Sequence, residues 1–217
     1  MQTHEAGCLD EQVIAYICEQ LTVYGYCVVA DFLPEAVAKA LYIEASSDHR
    51  LHFKKASIGR EQLQQVNTDV RSDSIAWINN QSETQSLYLK LMENLRIEIN
   101  RRLFLGLFDY ESHFAHYGLG DFYKRHVDAF KGGSNRLLSS VVYLNADWLK
   151  TDEGELLMFH DEQLSPFLIV EPIFNQCVIF LSEQFPHEVR AAKRDRYSIA
   201  GWFRTNNSIG GQIDPPR

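Results

Sequence analysis

The chain has 217 residues, 45% of them hydrophobic and 23% charged, with a formal net charge of −8. One domain with one large core suits that length, and the acidic balance excludes a general nucleic-acid binder, which needs clustered Lys and Arg against phosphate. No apolar run reaches membrane-spanning length, and the start MQTHEAGCLDEQ has no basic segment with an apolar stretch behind it, so a soluble, cytoplasmic monomer with no nucleic-acid or membrane partner is expected.

Residues 10–24 carry Val13, Ile14, Ile17 and Leu21 at helical spacing, and Gly25 is the natural stop. Tyr26 to Val29 reads as a short strand, and Pro34 opens a second helix to about Ser46. Residues 47–70 mix charged and polar side chains with weak periodicity, which predicts a mobile hairpin or loop. Ser82 and Gln85 make a capping-box pattern before a long helix with Leu87, Leu91 and Leu95 on one stripe. After Gly106 the texture turns to strands, expected at 113–117, 122–127, 137–144, 154–159, 167–171, 177–181, 188–190 and 196–203. This order predicts a mainly β, α+β sandwich or jelly roll. Helical support spans 9–104, the core about 105–204, and a frayed tail 205–217. Cys8, Cys18, Cys27 and Cys177 form no CxxC pair, so reduced thiols are expected rather than a disulfide framework.

His126 and Asp128, separated by one residue, share one side of an extended segment. His187 on a later strand would complete two imidazoles and one carboxylate on one face of a metal. Such a set leaves positions open and suits Fe(II), which must take both a co-substrate and dioxygen. Arg196, Ser198 and Trp202 share a strand face. An inward arginine needs an anion, and a dicarboxylic co-substrate supplies one through a bidentate contact. Tyr143 is either a core aromatic or a second donor to the same carboxylate, and Tyr117 and Tyr123 alternate with polar residues just before the metal pair. His113 and His116 fall on opposite strand faces, while His4, His49, His52 and His160 lack a carboxylate at ligand spacing with a matching His, so all six read as non-ligands.

With these motifs assembled, the chain resembles the prolyl 4-hydroxylase group of Fe(II)- and 2-oxoglutarate-dependent oxygenases, above all the hypoxia-sensing enzymes and their bacterial relatives. The segments are YGLGDFYKRHVD at 117–128, RLLSSVVYLNADW at 136–148, DEGELLMF at 152–159, IVEPIFNQCVIFLSEQFPHEV at 169–189 and RYSIAGWF at 196–203, with RSDSIAWI at 71–78 upstream. Glu153 stands where a second glycine is common. The resemblance implies a double-stranded β-helix, with Fe(II) on His126, Asp128 and His187. It also implies 2-oxoglutarate held by Arg196, Tyr143 and Tyr117, dioxygen as second co-substrate, ascorbate as reductant, and succinate and carbon dioxide as co-products. Arg136, Asp73, Arg71 and Trp202 would line the substrate entrance, although an ion pair fastening Asp73 to Arg136 is an equal alternative. The implied partner is a protein bearing the target proline, with a translation factor as candidate. The competing readings are a small-molecule hydroxylase and a non-catalytic binding module.

Overall fold

The computed structural model describes residues 8–47, 51–56, 69–129 and 134–206. Helix α1 (Glu11–Tyr24) starts where Asp10 accepts the Gln12 N–H at 2.7 Å and ends at Gly25, whose φ of 77° allows its N–H to close on Leu21 O. Its buried face, Ile14, Ile17, Cys18 and Leu21, lies against the strand that follows, β1 (Tyr26–Val29). Helix α2 (Glu35–Ser46) has Pro34 at its N-cap. Helix α3 (Glu83–Leu103) starts at Ser82, whose hydroxyl accepts the Gln85 N–H at 3.0 Å. The reciprocal half of the capping box is replaced. Gln85 reaches back to the N–H groups of Asn79 and Gln81 and donates to the buried Glu44 of α2, which ties the two helices together.

Strands β2 (Lys54–Lys55), β3 (Ser74–Trp77), β4 (Leu107–Tyr117), β6 (Arg136–Tyr143), β9 (Cys177–Leu181) and β11 (Arg196–Thr205) join β1 in a seven-stranded antiparallel sheet, ordered β1-β9-β6-β11-β4-β3-β2. The remaining strands, β5 (Tyr123–His126), β7 (Leu156–Met158), β8 (Leu168–Val170) and β10 (His187–Val189), form a second sheet ordered β5-β10-β7-β8. Period-two alternation along β11 builds a core on each side. Ile199 and Phe203 point to the helices, where they meet Leu91, Leu95 and Ile99 of α3. The other face of the large sheet packs Ala115, Tyr143 and Phe180 against Leu156, Met158 and Val189 of the small one. The sandwich with helices behind its larger sheet is the expected architecture.

Several expected boundaries need correcting. Strand β4 begins at Leu107, well before 113, because Asp109 and Glu111 face inward and break the apolar alternation. Asp109 pairs with buried Arg204, and Glu111 with Arg136 at 2.8 Å. Strand β3 was not anticipated; its four residues owe their extended form to pairing with His113–His116 of β4 rather than to their own pattern. The segment 47–70 holds the short strand β2, and its central part, 57–68, lies outside the described residues, as does the tail beyond 206. Gly201 is dictated by packing, since a Cβ there would sit 2.1 Å from the Tyr110 hydroxyl, which is hydrogen-bonded to Tyr88 and Ser140. All four cysteines are free.

Candidate metal and co-substrate site

Antiparallel pairing of β5 with β10 sets His126 directly opposite His187, their rings 4.3 Å apart. Asp128 is not on the strand, as the one-residue spacing had suggested. Strand β5 stops at His126, and Asp128 sits in the bend that follows. The bend brings one carboxylate oxygen 3.6 Å from His126 Nε2 and the other 3.8 Å from His187 Nε2. One ligand atom from each residue lies within 4.8 Å of the others, so the three can hold one metal ion. Each imidazole is fixed through its other nitrogen. His126 Nδ1 lies 2.8 Å from Lys124 O, and His187 Nδ1 lies 3.0 Å from Phe185 O, so each ring donates from Nδ1 and presents a free Nε2 lone pair.

Burial pushes the His187 pKa down to about 4, with His126 adding to the effect, so its imidazole is neutral and able to ligate. At Asp128 burial opposes the charge, but His187, His126 and a 2.6 Å hydrogen bond from Ser139 outweigh it and hold the carboxyl well below the usual carboxylate range. Ser139, itself 2.9 Å from Ser182, lies on β6 with inward parity. It went unnoticed in the sequence because its part depends on where the bend carries Asp128.

Arg196 is 1% exposed, and no carboxylate among the described residues pairs with it. Its Nε donates to Gly154 O at 2.9 Å and one terminal nitrogen to Ser198 at 3.3 Å, while its carbon lies 4.9 Å from the Tyr117 ring centre and 5.2 Å from that of Tyr143. Among the described residues the Tyr143 hydroxyl is buried with no hydrogen-bond partner. Arg196 lies close enough to act on it electrostatically, but no sound hydrogen bond joins them. Burial raises the pKa of Tyr143 and of Tyr117, keeping both phenols protonated donors. The Gly154 carbonyl is aimed by a tight turn. Glu153 takes φ 54° and ψ −145°, a region other residues avoid, with Trp148 Nε1 on its carbonyl. A Cβ on Gly154 would lie 3.2 Å from Arg196 Cδ.

The residues expected at the entrance are placed differently. Asp73 is fully buried and grips Arg71 through both oxygens, at 2.8 and 2.6 Å, so the alternative pair with Arg136 does not form. Arg71 in turn covers Tyr123, whose ring stacks on His126 with centroids 3.5 Å apart. Arg136 is held by Glu111 and lies 3.6 Å over the Trp202 ring. Of the six histidines set aside, His113 faces into the sandwich and His116 away from it, and none joins the ligand cluster among the described residues.

A jelly-roll sandwich with two imidazoles and a carboxylate at its mouth, and an unpaired arginine deep inside, is the architecture of a non-heme metal oxygenase. Residues 112–204 match the 2OG-Fe(II) oxygenase superfamily. The chain is 38% identical to the crystal structure of a Pseudomonas putida prolyl-4-hydroxylase, with a TM-score of 0.80 over 89% of this chain and 100% of that one. A prolyl hydroxylase from Trichoplax adhaerens, solved with a hypoxia inducible factor peptide, gives 25% identity and a TM-score of 0.75 over 89% of this chain and 90% of that one. Human Egl nine homolog 1 is 30% identical over 201 residues, 88% of this chain but 46% of that protein, so the chain spans about half of its length. Human prolyl hydroxylase EGLN3 is 29% identical over 210 residues, 90% of this chain and 84% of that protein. The chain belongs to the 2OG-Fe(II) oxygenase superfamily, and the relatives to which it is similar include prolyl hydroxylases.

Proposed function

We propose that this protein hydroxylates a prolyl residue of a protein substrate at C4, using Fe(II), 2-oxoglutarate and dioxygen. The observation that carries the reading is the buried Arg196, which has no carboxylate partner among the described residues, close to the buried Tyr143 ring, whose hydroxyl likewise has no hydrogen-bond partner among them. A buried guanidinium without a carboxylate is costly, and a dicarboxylate with its far end on Arg196 and Tyr143 relieves both groups at once. This also weighs against a binding module that has merely kept the fold.

His126, Asp128 and His187 would hold the metal, with Nδ1–H contacts fixing the rings and Ser139 fixing the carboxylate. Iron with 2-oxoglutarate and dioxygen supplies the oxidising chemistry, leaving succinate and carbon dioxide. The protein's part is to orient and to exclude water: Arg196 and Tyr143 anchor the co-substrate, Tyr117 closes one side as a neutral donor, and Phe180 packs edge-on against His187 at 4.9 Å. Arg71, held by Asp73, braces the Tyr123–His126 stack, and Arg136 lies over Trp202; in this reading the four residues would line the substrate entrance. Ascorbate as reductant, a monomer in the cytoplasm and a translation factor as target complete the reading; four free thiols fit a reducing compartment.

The test is incubation with iron, ascorbate and 2-oxoglutarate in the presence of cell lysate or a purified elongation factor, followed by peptide mapping. A gain of one oxygen on a proline, with matching succinate, is expected. Oxygen appearing on a free amino acid, with no modified protein, would overturn it.

A further inference from the structure

The metal and co-substrate roles leave part of the inner sheet face unexplained. Ala200 lies mid-strand in β11, flanked by β4 and β6, yet it remains partly open to solvent, as does Val141 opposite it. The opening is walled by His113, directly across from Ala200 on β4, and by Trp202, two residues along β11. The His113 ring centre is 5.4 Å from that of Trp202 and 5.1 Å from Trp77 on β3. His113 is 4% and Trp202 8% exposed, and each carries a nitrogen without a hydrogen-bond partner among the described residues, Nδ1 of His113 and Nε1 of Trp202. Two such atoms on one wall are uncommon in a folded protein, where buried polar groups find partners. The indole N–H can only donate, and the imidazole, kept neutral by burial and by Arg71 and Arg136, donates from Nδ1 in one tautomer.

We propose that His113 and Trp202 form a subsite for a backbone carbonyl of the substrate next to the target proline. The inference rests on the prolyl reading above. A peptide bond to proline has a carbonyl but no N–H, and a carbonyl oxygen has two lone pairs, so two N–H donors match it without leaving a substrate donor stranded. The small side chain of Ala200 leaves the floor between them free for the pyrrolidine ring.

The test uses the full chain loaded with zinc and 2-oxoglutarate, and the probes are N-acetylproline N-methylamide and free proline. Three tryptophans give three indole N–H signals in a nitrogen-labelled sample, and Trp202→Phe assigns one of them. The capped proline should shift the Trp202 signal and free proline should not, and His113→Phe should weaken capped-proline binding on the order of tenfold, as expected for one lost buried hydrogen bond. With iron, His113→Phe should raise KM for a prolyl peptide by a similar factor while leaving KM for 2-oxoglutarate and its substrate-free turnover within about twofold, and His113→Gln should recover part of the loss. If the wild type hydroxylates a prolyl peptide and His113→Phe leaves its KM unchanged, the subsite is overturned and the prolyl reading stands. If no prolyl substrate is turned over but the indole responds to the capped amide in a His113-dependent way, the subsite stands and the prolyl reading falls. Neither response overturns both.

Discussion

At the scale of single residues, the groups without partners say most about what the protein needs. Arg196→Met should weaken 2-oxoglutarate binding by about 2–4 kcal/mol, roughly 30- to 1000-fold, since a charge-assisted contact in a dry pocket is lost. In the free protein the same change removes an uncompensated buried charge, so the Tm should rise by about 2–4 °C for each kcal/mol relieved. Titration calorimetry on manganese-loaded protein and thermal scans without ligand check the two halves; unchanged affinity would refute the pocket assignment. Tyr143→Phe should act in the same direction by about tenfold, as one neutral donor is removed. His113 makes a pH-dependent contribution. Burial pushes its pKa from 6.5 down to about 3, so only the unfolded chain takes up its proton as pH falls below 6.5. The stability it confers is whole above pH 6.5 and is lost toward pH 3, by about 2 kcal/mol at pH 5. His113→Phe should flatten that part of the urea-midpoint profile relative to wild type; parallel profiles would contradict it.

At the scale of elements, what could be read from the chain depended on whether a segment carried its own signal. Helix α1 was legible because the Val13, Ile14, Ile17 and Leu21 spacing and the stop at Gly25 agree, and β11 because Arg196, Ser198 and Trp202 share one strand face, opposite Ile199 and Phe203. Strand β3 was not, since β4 imposes its form. The first half of β4 was hidden by Asp109 and Glu111, which turn inward to partners far along the chain. The candidate ligands were legible as residues but not as geometry: two come from the paired strands β5 and β10, the third from a bend. That bend has no ladder to hold it, so Ser139 acts as its tether. Ser139→Ala should lower metal affinity about 10- to 100-fold while leaving the fold and the pairing of β5 with β10 intact. Competition against a chelator dye measures this, and an affinity equal to wild type would show that the bend holds itself.

At the scale of the whole molecule, the large sheet separates two cores with different duties. The helix-side core is built from long aliphatic side chains, and Leu95→Ala there should cost about 2–5 kcal/mol of stability with little change in metal affinity. The inner core contains the polar site, so its stability answers to ligands. Adding manganese and 2-oxoglutarate should raise the Tm together by more than either alone, and a chelator should reverse the gain, because binding to the folded state alone stabilises it by mass action. A Leu95→Ala protein that folds yet fails to bind metal would show that the two cores are not separable.

The close approach at Gly201 carries a consequence for how this sequence can diverge. Tyr110 occupies the volume that any side chain at 201 would need, and its hydroxyl is committed to Tyr88 and Ser140. Positions 110 and 201 are therefore linked in heredity: a larger residue at 201 becomes admissible only in descendants that have first given up the tyrosine. Gly201→Ala should be harmful in the present background and far milder beside Tyr110→Ala, an epistasis of magnitude that a double-mutant cycle would read directly.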